Sequence, residues 1–405
     1  MTKETRFSEQ RLHVFKDEFF DSQFMRALTH QVYGGAELGE CFWAASQIKD
    51  GDFKSWKKSW LELASRVEGT AKKSLATGHP VSAREAYLRA SNYYRCAEFL
   101  ISPNKPLHYE LWEKSRECFQ EACKLFDPSI EPVTIPFQDS ELPGYFIPGE
   151  RGNGKQPTII VLGGGDSSGE ELYFYMGEGA RRRGYNALIV EGPGQRGALH
   201  VNPGLVFRYD YEIPMKSVID YALSRPEVDG DRLALYGLSL GGYLVLRTIA
   251  FEERIKACIA NPPYLDFSIA QRKGLPAWIQ NLKPEILDRV LALVSKINPL
   301  IRFALDTYYW ILGVKTPSQV FSALENFKIT GLEEQIVCPT LFIIGEGEGE
   351  EVLHQGHELY DHLQNQKTIR VTRIVDGGDA HCVSNNLSLM NQIVFDWLED
   401  VFNWN

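Results

Sequence analysis

From residue 8 to about 127, apolar positions recur at helical spacing and strand patterns are scarce. In SAREAYLRASNYYRCAEFL, Ala83, Tyr87, Ala90, Tyr94 and Ala97 share one face at 3.6-residue spacing. Ser82 precedes that face and Glu85 follows three residues on, the sequence form of a capped helix start. Trp43, Trp56, Trp60 and Trp112 are expected to fill the helix–helix core of this region. At Asp127-Pro128 the period changes, and VTIPF, LPGYFIPG and TIIVL predict strands parted by Gly/Pro turns. From Thr158 strands and helices alternate: TIIVL, a helix near 169–183, NALIV, a helix near 212–224, RLALY, a helix over 241–251, then ACIAN. Such alternation is the βαβ rhythm of a parallel sheet. Residues 265 to about 335 interrupt it with helical, aromatic sequence. The rhythm resumes with TLFII, a helix near 354–365, TIRVTRIV and a last helix near 387–402. An insertion between two core strands is expected to cap the carboxyl end of the sheet, where ligands bind.

Composition narrows the classes. An apolar fraction of 44% with 24% charged residues is that of a globular protein. The net charge of −10, with no basic run, argues against a nucleic-acid or anionic-membrane partner. No apolar stretch approaches the roughly 18 residues of a membrane span. Seven cysteines without CxxC spacing suggest buried thiols in a reducing compartment. The opening MTKETRFSEQRLHVFKDEFF has no apolar signal-like core, so a cytoplasmic location is expected.

Chemistry concentrates in Gly237-Leu238-Ser239-Leu240-Gly241, a G-x-S-x-G between the strand Leu233–Tyr236 and an apolar helix from Tyr243 to Ala250. That context is a nucleophile elbow, whose strained turn demands small residues two positions either side of the serine. Ser239 then needs a base, and in this architecture the chain order is serine, acid, histidine. Of the four histidines downstream, His381 sits in a Gly-rich loop between the last strand and the last helix, where the base belongs. The acid should follow TLFII, where GEGEGEE offers glutamates and no aspartate. Counting three on from Gly345 reaches Glu348; Glu350 and Glu351 are the alternatives. An oxyanion hole needs two backbone N–H donors, expected from Leu240 and from Gly165 in the loop after TIIVL.

Three competing motifs fail. HQGHELYDH places its histidines too far apart for H-E-x-x-H, so no metal is expected. GGGDSSGEE lacks the lysine of a phosphate-binding loop. Gly192-Pro-Gly194-Gln-Arg-Gly197 fits G-x-G-x-x-G, but Pro193 and the nearby Asn202-Pro203-Gly204 should prevent the helix that dinucleotide binding requires. It is expected instead to turn at the rim of the site.

GGGDSSGEE, EGPGQRG, the run YEIPMKSVIDYALSRPEVDGDRLALYGLSLGGYLVLRTIAFEERIKACIA and the helix SAREAYLRASNYYRCAEFL resemble the 2,6-dihydroxypseudooxynicotine hydrolase family of α/β-hydrolases. The likeness is to its fungal branch, which shortens aromatic polyketides. The resemblance implies an α/β-hydrolase fold, a mostly parallel doubly wound sheet, with a helical N-terminal domain over 1–128. The hydrolase domain would occupy 129–405 and carry the helical cap at about 265–335. It also implies a cofactor-free hydrolase of carbon–carbon bonds next to a carbonyl, acting on a small aromatic substrate, and a homodimer. Ser239 would be nucleophile and His381 base; the family acid is aspartate, and this sequence departs from that with Glu348 or a neighbour. The pocket would draw on Trp278, Tyr308, Tyr309 and Trp310 of the cap and on the N-terminal helices. The same triad also serves an esterase, a thioesterase or an acyltransferase, and the missing aspartate leaves room for a non-catalytic binding protein on the fold.

Overall fold

The computed structural model describes residues 10–150, 154–273 and 275–404. The first nine residues, which begin both the expected N-terminal domain and the segment without a signal-like core, lie outside the described residues. Five helices precede the sheet: α1 (Glu18–Thr29), α2 (Leu38–Ser46), α3 (Phe53–Ala76), α4 (Pro80–Glu98) and α5 (Pro106–Cys123). Asp17 caps α1 and Asp52 caps α3 by accepting backbone N–H bonds from their first turns. The start of α4 differs from expectation. Pro80 opens that helix and His79 is its N-cap, which leaves Ser82 inside the first turn. Proline is preorganised for the first helical position and displaces the serine signal. Trp56, Trp60 and Trp112 are buried in this helical layer, and Trp43 is partly buried against it.

β1 (Glu131–Phe137) and β2 (Ser140–Ile147) form an antiparallel hairpin, and β3 (Gln156–Leu162) begins the parallel part. Two helical segments, α6 (Gly169–Leu172) and α7 (Glu178–Arg182), are joined by a π-helical turn over Tyr173–Gly177. β4 (Asn186–Val190), α8 (Arg196–Val201), α9 (Glu212–Ser224), β5 (Val228–Leu238), α10 (Leu240–Ile249) and β6 (Ala257–Asn261) follow. Between β6 and the next strand come α11 (Phe267–Lys273), α12 (Ala277–Gln280), α13 (Pro284–Ile297), α14 (Pro299–Leu312) and α15 (Pro317–Leu324). The chain closes with β7 (Thr340–Gly345), α16 (Glu350–His362), β8 (Lys367–Thr372) and α17 (Leu387–Phe402). β8 ends earlier than TIRVTRIV suggested, because a 3-10 turn takes over at Ile374.

The eight strands run in the order β1-β2-β4-β3-β5-β6-β7-β8, with β2 antiparallel to both its neighbours and β3 to β8 parallel. This is the mostly parallel sheet of an α/β-hydrolase. Successive residues of a strand face opposite layers. In β3, Ile159 and Val161 pack toward the N-terminal helices and α17, while Ile160 and Leu162 pack toward α9 and α10. A strand buried on both faces reads as an unbroken apolar run, which is why TIIVL shows no alternation. No helix among the described residues is long and apolar enough to cross a membrane. All seven cysteines are free and buried.

Candidate active site

β5 delivers Ser239 at the carboxyl edge of the sheet, and α10 begins at the next residue. The turn between them is so tight that Ser239 adopts φ 59° and ψ −126°. Such a non-glycine conformation stores about 1–3 kcal/mol and persists only where packing enforces it. A Cβ on Gly237 would fall 2.1 Å from the Gly241 carbonyl oxygen, so glycine is required there. The Ser239 N–H donates to the Asn261 carbonyl at 2.6 Å, which ties the elbow to the end of β6.

His381 follows β8 in a 3-10 turn, and its Nε2 lies 2.9 Å from Ser239 Oγ. Its Nδ1 lies 2.6 Å from Glu348 Oε2. Glu348 is buried at the end of a 3-10 turn that continues β7, and its other oxygen accepts the Cys382 N–H at 2.8 Å. With both carboxylate oxygens engaged, the ring is held so that Nδ1 donates to Glu348 and Nε2 accepts from the serine. Glu350 lies beyond Gly349, in the first turn of α16, and Glu351 is engaged by the Gln355 amide at 2.8 Å. Of the sequence candidates, Glu348 is the one in hydrogen-bond contact with His381.

The Leu240 N–H belongs to the first turn of α10, where helical N–H groups lack intrahelical partners. In the loop after β3 the Gly164 N–H is taken by Ser167 Oγ at 2.8 Å. Gly164 itself fits against the nucleophile, since a Cβ there would lie 2.7 Å from Ser239 Cβ. The next N–H, that of Gly165, meets no acceptor among the described residues, and Gly165 and Leu240 both line the cavity beside Ser239. The EGPGQRG turn braces this loop: Gln195 donates to the Gly163 carbonyl at 2.7 Å and accepts the Gly192 N–H at 2.6 Å. Contrary to expectation a helix does follow that turn, but α8 is six residues long and ends before Pro203.

The cavity over Ser239 has a volume of about 330 Å³ and is closed by α1 from one side and α14 from the other. Phe19 of α1 meets Phe303 of α14 at 6.2 Å between ring centroids. Of the cap aromatics expected in the pocket, Tyr308 lines it. Trp278 is 63% exposed, Tyr309 packs against the core and Trp310 meets His108 edge-on and His200 at a tilt. Helical position alone does not say which face of the cap looks inward.

Sequence reasoning did not single out Arg26 of α1. Its guanidinium grips Glu171 through two bonds of 2.7 and 2.6 Å and reaches Asp166 at 2.9 Å. Burial alone would raise the Glu171 carboxyl, but Arg26 and Arg95 outweigh it and hold its pKa down at about 2. The grip ties α1 to the residue after Gly165. Without Arg26 the buried Glu171 carboxylate loses two charge-assisted bonds and keeps Arg95 at 3.4 Å. Arg26→Ala is therefore expected to destabilise the fold by about 1.5–3 kcal/mol. Urea unfolding with an unchanged midpoint would contradict this. Among the described residues, Glu348, His381 and Cys382 are close enough to share a cation. Their polar atoms already serve one another, however, and burial raises the Cys382 thiol well above its ordinary pKa, so the metal-binding thiolate is disfavoured.

A family model described as "Esterase FrsA-like" matches residues 54–288. The chain is 34% identical over 412 residues to the 20-hydroxy-prefusarin hydrolase FUS2 of Gibberella moniliformis, covering 96% of this chain and 98% of the relative. It is 30% identical over 420 residues to the hydrolase acrC of Aspergillus aculeatus, covering 96% and 97%. The solved 2,6-dihydroxy-pseudo-oxynicotine hydrolase shares the fold at a TM-score of 0.72 and 22% identity, over 92% of this chain and 95% of that one. The chain belongs to the FrsA-like esterase family, among its fungal relatives, and is a hydrolase of the α/β type.

Proposed function

We propose that the protein hydrolyses a carbon–carbon bond next to a carbonyl in an aromatic polyketide or related β-dicarbonyl compound, through an acyl-enzyme on Ser239. The observation that carries it is the unbroken line Ser239–His381–Glu348 opening onto an aromatic-walled cavity. His381 takes the serine proton as Oγ adds to the ketone carbon. The oxyanion is held by the N–H groups of Leu240 and Gly165. On collapse the carbon–carbon bond breaks, its electron pair leaves as an enolate, and His381 returns the proton to carbon. Water then enters by the same base and releases the acid. A relative named for hydrolysing 20-hydroxy-prefusarin supports hydrolysis of a small molecule of a fungal polyketide pathway. The family's description as an esterase favours a second candidate, ester hydrolysis by the same residues.

Turnover in ¹⁸O-water separates the outcomes. One heavy oxygen in a carboxylic acid, with the remaining fragment released carrying hydrogen on carbon, is expected. Release of an alcohol fragment would identify the ester bond. A larger product without the label would mean acyl transfer. Wild type labelled by a serine-directed fluorophosphonate no better than Ser239→Ala would leave a binding protein.

A further inference from the structure

Tyr175 belongs to the π-helical turn over Tyr173–Gly177 that follows the oxyanion loop. Single π-turns inserted between α-helical segments often re-aim a side chain at a functional site. Here the inserted turn puts Tyr175 in the wall of the cavity that Ser239, His381 and Cys382 also line. The residue is 3% exposed, and its ring stands edge-on to His30 at 5.5 Å. Its hydroxyl meets no hydrogen-bond partner among the described residues, although its backbone carbonyl accepts from Asn391 at 2.8 Å. A hydroxyl without a protein partner in a cavity wall is left free to bond a ligand there.

The surroundings keep that hydroxyl a donor. Burial pushes its pKa well up, and the nearby Arg26 offsets only part of this. Neighbouring tyrosines are spoken for: Tyr173 donates to Glu178 at 2.9 Å and Tyr145 to Glu170 at 2.6 Å. Tyr175 differs from them in lining the cavity, and it lies near the Arg26–Glu171 pair without a hydrogen bond to that carboxylate.

We propose that the Tyr175 hydroxyl is a catalytic donor to the leaving half of the substrate, holding the carbonyl oxygen that becomes the enolate. This rests on carbon–carbon hydrolysis as the reaction. When the tetrahedral intermediate collapses, the electron pair of the breaking bond moves onto the second carbonyl oxygen. That oxygen lies beyond the reach of Leu240 and Gly165, which are committed to the first. Tyr175 stabilises it until His381 delivers a proton to the carbon, and the hydroxyl keeps its own hydrogen throughout. An ester needs no such donor, because its leaving oxygen is protonated directly by His381. Tyr175 therefore sets bond specificity.

The test compares wild type and Tyr175→Phe on a 1-aryl-1,3-diketone and on p-nitrophenyl acetate. The expected result is a diketone-to-ester ratio of kcat/KM that falls by on the order of 10², as when one oxyanion donor is lost. The thermal midpoint should stay level or rise, because no intramolecular hydrogen bond is removed. A structural hydroxyl would behave oppositely, lowering the midpoint and both activities together. If wild type cleaves the diketone and Tyr175→Phe keeps the ratio, the Tyr175 role is overturned while carbon–carbon hydrolysis stands. If wild type cleaves the ester but not the diketone, both are overturned.

Discussion

Ser239→Ala is expected to lower kcat by on the order of 10⁶, and His381→Ala by a similar factor. That is about 8 kcal/mol of barrier, most of the advantage such a site has over water. The size follows from the geometry. Ser239 Oγ lies 2.9 Å from the imidazole that would take its proton, and its backbone is held at φ 59° by the packing around Gly237. Either side chain alone leaves binding and the two N–H donors but no route to an acyl-enzyme. The double variant should therefore be no worse than either single one, because residues acting as one unit are not additive. Single-turnover measurements on the natural substrate, with fluorophosphonate labelling alongside, check this. A Ser239→Ala protein retaining more than about a hundredth of the rate would remove the serine from the chemistry.

What could be read from the chain was what is local or has a rigid period. The elbow is a contiguous strand-turn-helix, and the loop carrying His381 lies between two elements with clear periodicity. The glutamate in contact with His381 was the one reached by counting from the end of β7, since a strand end fixes where the next three residues point. Long-range pairings left no such trace. Arg26 meets Asp166 across 140 positions, and an arginine in an amphipathic helix looks the same whether it faces solvent or a carboxylate. Tyr175 was hidden because a π-turn shifts its direction away from the α-helical count. Trp278 was expected in the pocket and is exposed, because aromatic content on a cap does not fix which face is inward. At α4 a proline overrode a plausible serine cap, and at α8 six residues were enough for a short helix between two turn signals.

Glu348→Gln should lower kcat by about 10³ to 10⁴ while leaving the fold intact. The glutamine is isosteric, so the bond from the Cys382 N–H to the side-chain oxygen, now 2.8 Å, can persist. What changes is the partner of the imidazole. A carboxylate accepts from Nδ1, which leaves Nε2 open to take the serine proton. An amide NH₂ aimed at Nδ1 donates instead, placing the ring proton on Nε2, where it faces Ser239 and blocks transfer. The carboxylate's second contribution, stabilising the imidazolium that forms, is lost as well. Glu348→Asp keeps the charge but shortens the reach by one methylene, so it should recover part of the loss. Glu350→Ala and Glu351→Ala should each stay within about tenfold of wild type, because neither is in hydrogen-bond contact with the histidine and their helix begins beyond Gly349. Measuring kcat for the four variants, with thermal midpoints to verify folding, locates the acid. A collapse of activity in Glu350→Ala with Glu348→Gln unimpaired would move the acid two residues along. It would also mean that the 2.6 Å contact to Nδ1 is not the one used in turnover.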